Sequence, residues 1–129
     1  MAIRIEHQFG FSAANVWAIV GQPDRVDWVP GVTGCEFDGE VRRFSLPGAG
    51  KLAERILSLD ALAREIHYGV IESNPPLIDH HASINVVSNG EGSVMIWCTE
   101  VDPISVEPFI EKSMHASLAR IQNILEQNK

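Results

Sequence analysis

Several ionisable side chains in this chain fall on strand phases that otherwise carry apolar residues. Alternation along a strand sends successive side chains to opposite faces, so a polar residue on the apolar phase points at a core or a cavity. Within Asp79–Val87, His80 shares its phase with Ala82, Ile84 and Val86, whereas His81 falls with Asp79, Ser83 and Asn85. Tyr68 alternates with Ile66 and Val70, leaving His67 with Glu65 on the outward phase. Arg42 keeps company with Phe44 and Leu46, and His7 with Ile3, Ile5 and Phe9. In Lys51–Leu59 periodicity does not decide between the phase of Glu54 and that of Arg55. An imidazole or a carboxylate in an apolar setting is a general base, and a guanidinium or a phenol is a donor for a carbonyl or enolate oxygen. Each residue also has a purely structural reading: an ion pair for Arg42, hydrogen-bonded core or rim histidines for His7 and His80, a wall residue for Tyr68.

The elements that must hold these residues follow from local signals. Ile3–Phe9 reads as a half-buried strand. Ser12 stands as an N-cap before AANVWAIV, Gly21-Gln22-Pro23-Asp24 ends that helix, and Arg25–Trp28 reads as a second short helical turn. Six strands follow, punctuated by Asp38-Gly39, Pro47-Gly48-Ala49-Gly50, Asp60-Ala61, Asn74-Pro75-Pro76 and Asn89-Gly90-Glu91-Gly92. From Val106 to Gln127, Ile110, Met114, Leu118, Ile121 and Leu125 recur at helical spacing and form one apolar stripe. The expected fold class is α+β: a seven-stranded antiparallel sheet wrapped around a long C-terminal helix, with two short helices after strand 1, as a single domain over residues 1–129. Such a wrap leaves a cleft between sheet and helix.

This order resembles the helix-grip fold of the START and birch-pollen-allergen-like (SRPBCC) superfamily, and within it the bacterial polyketide cyclase/dehydrase family. The resemblance rests on FSAANVWAIV, WVPGV, VRRFSLPGAGKLAERILSLD, Tyr68 in IHYGVI, and SVMIWCTEVDP, and covers nearly the whole chain. SLPGAG is also similar to the gate loop of plant abscisic-acid receptors, although their characteristic latch residues are missing between Asn74 and Asp79. The family's Glu-Arg motif matches Glu54-Arg55 and implies that Glu54 points inward. With the turn centred near Gly48, Arg42 and Glu54 are then equidistant from it and become cross-strand neighbours. The family pattern likewise implies that Met95, Trp97, Thr99 and Val101 face the helix, while Trp28 lies at the mouth. Ligand contacts are accordingly expected from Trp28, Arg42, Phe44, Glu54, Tyr68, His80, Trp97, Met114 and Leu118.

The chain has 129 residues and a formal charge of −7, with ten scattered Lys and Arg. That balance argues against nucleic acid as a partner, since phosphate neutralisation needs clustered basic residues. No apolar run approaches the roughly 18 residues of a membrane span, so a soluble, cytoplasmic protein without membrane insertion is expected. Cys35 and Cys98 are too few for a disulfide scaffold and are expected as free thiols. No metal or other cofactor is expected, because the adjacent His80 and His81 point to opposite faces. Three functions remain open. The chain binds a small hydrophobic or aromatic molecule, polyketide- or lipid-like. Alternatively it is a cofactor-free cyclase or dehydratase in which Glu54 or His80 is the base and Arg42 or Tyr68 the donor. Thirdly, it has no small-molecule role and serves a protein partner. In the enzyme reading the Arg42 charge blunts Glu54 as a base, which tilts that role to His80. Monomer and homodimer both stay open.

Overall fold

The computed structural model describes residues 2–128; Met1 and Lys129, at the ends of the expected domain, lie outside the described residues. The strands are β1 (Ala2–Phe9), β2 (Glu36–Phe37), β3 (Val41–Leu46), β4 (Gly50–Asp60), β5 (Glu65–Glu72), β6 (Asp79–Asn89) and β7 (Gly92–Asp102). The helices are α1 (Ala13–Val20) and α2 (Glu107–Gln127), the latter entered through a single 3-10 turn over Ile104–Val106. All seven strands form one antiparallel sheet in the order β1-β7-β6-β5-β4-β3-β2, a meander with the first strand laid against the last.

Ser12 caps α1 as its position predicts, its Oγ accepting the Asn15 N–H at 3.1 Å. The second helical turn expected over Arg25–Trp28 does not form a helix. Residues 21–32 make successive tight turns, with Arg25 N–H donating to the Gln22 carbonyl and Val29 N–H to Val26. Pro30 disfavours helical geometry at Val29, and Arg25 is tied to Asp27 at 2.7 Å instead of continuing a helix.

The α2 stripe buries Met114, Leu118, Ile121 and Leu125, with Ser117 and Ile124 beside them. At about 1.5 Å per residue this helix reaches some 32 Å. Ile66, Ile84 and Met95 from the sheet and Val16 and Val20 from α1 complete a dense core around its C-terminal half. Val94, Ile96 and Cys98 on the outer phase of β7 are half-buried. No helix among the described residues is long and apolar enough to cross a membrane. Ile121 is fully buried where helix, sheet and α1 meet, so Ile121→Ala should lower the unfolding free energy by about 2–5 kcal/mol in urea titrations; a loss under about 1 kcal/mol would mean that this region is not close-packed.

Candidate functional site

Between the sheet and the N-terminal half of α2 lies a cleft of about 390 Å³. That volume is in the range of small-molecule pockets. Its wall includes Phe44, Leu52, Val70, Leu77, Phe109 and Met114. The tip of the β3–β4 hairpin forms one side of the mouth. Gly48 has φ +85°, a left-handed conformation that L side chains rarely adopt, and it sits against the Phe109 ring of α2. Trp28 and Trp97 meet edge to face, ring centroids 5.5 Å apart. Trp28 is only 2% exposed, and its indole N–H donates to the Arg25 carbonyl at 3.0 Å. It therefore lines the cleft from a buried position and not from the mouth, because the turns after α1 fold it inward.

Arg42 and Glu54 are direct cross-strand partners, as hairpin symmetry about Gly48 requires. The Arg42 Nε–H donates to Glu54 Oε1 at 2.8 Å, with the residues 3% and 8% exposed. Arg42 Nη1 also donates to the Pro23 carbonyl at 3.3 Å, and its guanidinium lies 4.9 Å from the Tyr68 ring centroid, within cation–π range. Among the described residues, the other Glu54 oxygen has no hydrogen-bond partner.

Tyr68 accepts the Trp97 indole N–H at 3.0 Å, an interaction between two buried side chains. Burial, reinforced by the Glu54 charge, pushes the Tyr68 phenol further above its ordinary range, so it stays protonated. Its own hydrogen remains available to an acceptor in the cleft. His80 is held by the backbone: Val70 N–H donates to His80 Nδ1 at 3.1 Å. A backbone amide can only donate, so Nδ1 carries the lone pair and the neutral ring bears its hydrogen on Nε2. Burial pushes the His80 imidazolium down, outweighing the upward pull of Glu54 and Asp79. Hence His80 is a neutral donor. With Nδ1 committed and Nε2 protonated, it lacks the free lone pair that the base role assigned from sequence requires.

Trp28, Arg42, Phe44, Glu54, Tyr68, His80, Trp97 and Met114 all line the cleft; Leu118 does not. One helical turn beyond Met114, Leu118 lies in the closed part of the core, where α1 packs against the sheet. His7 also lies away from the cleft, its ring 4.6 Å from Phe9. Burial and the neighbouring His115 push its imidazolium down. Sequence reasoning missed Ser113 and Ser117, which give the helix side of the cleft its space. Two serines four residues apart beside an apolar stripe are the signal that would have found them. Among the described residues no group of three or more His, Cys, Asp and Glu is arranged to hold a metal, and Cys35 and Cys98 are free thiols.

Two outcomes follow from these contacts. Arg42→Met should destabilise the fold by about 3–5 kcal/mol, because it leaves the Glu54 carboxylate buried and unpaired; Arg42→Met with Glu54→Met should recover most of that loss. Equal losses in the single and double variants in urea titrations would contradict the pairing. For His80 the folded state lies below the ordinary range, so the unfolded chain takes up a proton first. Its stabilising contribution is present above that range, near 6.5, and is lost as the pH falls through it. His7 has the same sign, so the comparison is with His80→Asn, which keeps an acceptor for Val70 N–H. Between pH 7.5 and 5 the wild type should lose more stability than this variant, and parallel losses would count against a neutral His80.

Against known proteins, residues 2–126 match the model of the family described as polyketide cyclase / dehydrase and lipid transport. No curated protein matches the chain. Solved structures share its fold at low identity. The protein XoxI from Bacillus cereus is 18% identical with a TM-score of 0.87, covering 96% of this chain and 94% of its own. A START superfamily protein from Mycobacterium smegmatis is 12% identical with a TM-score of 0.83, covering 99% of each chain. Norcoclaurine synthase from Thalictrum flavum, solved with dopamine and hydroxybenzaldehyde, is 22% identical with a TM-score of 0.78, covering all of this chain and 88% of its own. With one family model spanning almost every residue, the chain belongs to the polyketide cyclase / dehydrase and lipid transport family.

Proposed function

We propose that this protein binds a small, largely apolar molecule of aromatic, polyketide or lipid-like type in the cleft between sheet and C-terminal helix, and acts as a soluble cytoplasmic carrier or sensor. The observation that carries this reading is a largely apolar cleft of about 390 Å³ lined by Tyr68 and His80, each with a hydrogen to spare. Tyr68 O–H and His80 Nε2–H are the donors for a ligand oxygen, and the Arg42 guanidinium beside them favours partial negative charge on it. The Trp28 and Trp97 rings supply flat apolar surface for an aromatic or conjugated body. A protein whose inward polar residues only completed its core would leave no such space. The family description, with its cyclases and lipid transporters, and a fold neighbour solved with an aromatic amine and an aromatic aldehyde agree with a ligand of this kind.

A second reading, a cofactor-free cyclase or dehydratase, draws on the Glu54 oxygen that has no partner among the described residues. In that chemistry Glu54 removes a proton next to a substrate carbonyl, while Tyr68 and His80 donate to the oxygen as it gains enolate charge. The base is then Glu54 and not His80, for the tautomer reason given above.

A solvatochromic naphthyl ketone and unsubstituted naphthalene test the binding reading together. The ketone should bind with a blue-shifted emission, and Ser113→Phe, which fills the cleft from the helix side, should abolish binding of both probes. Tyr68→Phe and His80→Asn should each weaken the ketone by about fivefold to tenfold, one hydrogen bond's worth, and leave naphthalene unchanged. Failure of the wild type to take up either probe would refute the reading. For the enzyme reading, a folded Glu54→Gln protein should lose turnover of a poly-β-ketone while still binding it; undiminished turnover would remove Glu54 as the base.

A further inference from the structure

The outer face of the sheet, opposite the cleft, brings together a second set of ionisable groups. His67 leaves β5 on the phase opposite to Tyr68, and His81 leaves β6 on the phase opposite to His80. Register pairs His67 with Ser83, which sets His81 two residues along β6 on the same face, within diagonal reach. Nδ1 of His67 and Nε2 of His81 are 2.9 Å apart. On its other side, His67 Nε2 lies 2.6 Å from Glu65 Oε1.

These contacts fix the protons. A carboxylate only accepts, so the hydrogen of His67 sits on Nε2 and its lone pair sits on Nδ1, directed towards His81. The same arrangement, a carboxylate gripping one imidazole nitrogen so that the other presents a lone pair, orients histidines that ligate metals. His81 now donates its Nε2 hydrogen to His67. If that hydrogen moves to Nδ1, both nitrogens offer lone pairs to one ion. The observed 2.9 Å is the length of the present N–H···N hydrogen bond, so the two ring nitrogens already lie close enough for one ion to bridge them. Imidazole nitrogens suit late first-row divalent ions, among which Ni²⁺ and Cu²⁺ stand high in affinity. His81 is exposed and the His67 side chain is 29% exposed, so little packing opposes the ring tilts that converge the lone pairs. The remaining positions fall to water or to Glu100, the exposed cross-strand partner of His81 on β7.

We propose that His67 and His81 form a two-histidine surface site for a divalent ion with high affinity for imidazole, Ni²⁺ or Cu²⁺, with Glu65 as a positioning residue. The site is independent of the cleft and of any ligand bound there.

Untagged, chelator-treated protein titrated with Ni²⁺ by calorimetry, with Tm recorded at each end point, tests the assignment. The wild type should bind one ion per chain and gain thermal stability with it. His67→Asn and His81→Asn should abolish both effects. Glu65→Gln should weaken binding on the order of tenfold, and His7→Asn, which alters a histidine outside the pair, should change nothing. No heat and no Tm change in the wild type, or binding retained in both His67→Asn and His81→Asn, overturns the site; undiminished affinity in Glu65→Gln overturns the positioning role.

Discussion

The hydrogen-bond ladder between β5 and β6 ends at Tyr68 and Ala82, while each strand continues to pair with its other neighbour. A partly buried backbone amide left there needs a partner. Val70 finds the side chain of His80, and much of the site follows from that single contact. It anchors an imidazole on the cleft wall, selects its tautomer, and opposes its protonation, since an added proton on Nδ1 would face the Val70 N–H. A histidine that sequence reasoning favours as a base thereby becomes a donor. Tyr68, held by the Trp97 indole, supplies the other neutral donor.

The long helix dictates where such a site can exist. Its C-terminal half meets the sheet and α1 through Leu118, Ile121 and Leu125 and closes the core. Nearer its N-terminus, Ser113 and Ser117 face the cleft in place of larger side chains. The same helix therefore anchors the fold at one end and spares volume at the other. Arg42 and Glu54 sit on the wall of that volume, and their mutual pairing makes two buried charges tolerable there.

What was legible in the sequence depended on symmetry and on uninterrupted alternation. The β3–β4 hairpin turns symmetrically about Gly48, so the Arg42–Glu54 pairing follows from counting. The even alternation of β6 separates His80 from His81, and the helical stripe marks α2. Legibility fails where local rules are interrupted. Register shifts between Ala53 and Glu54 and between Ile56 and Ser58 break the β4–β5 alternation, and Ala53 and Glu54 are both buried as a result. The end of the β5–β6 ladder has no local signature, so neither the His80 tautomer nor the diagonal meeting of His67 with His81 could be anticipated. Trp28 and Leu118 were misplaced for a related reason: periodicity tells which face of an element is buried, not which stretch of that face meets a cleft and which meets solid core.

The central claim is that His80 is a neutral imidazole with its hydrogen on Nε2. Long-range proton–nitrogen correlation spectra of ¹⁵N-labelled protein read this directly, with His80→Asn providing the assignment. At neutral pH the account predicts an unprotonated Nδ1 and a protonated Nε2, a pattern that persists as the pH falls through the ordinary histidine range. A His80 ring protonated on Nδ1, or one that takes up its second proton within the ordinary histidine range, would contradict it.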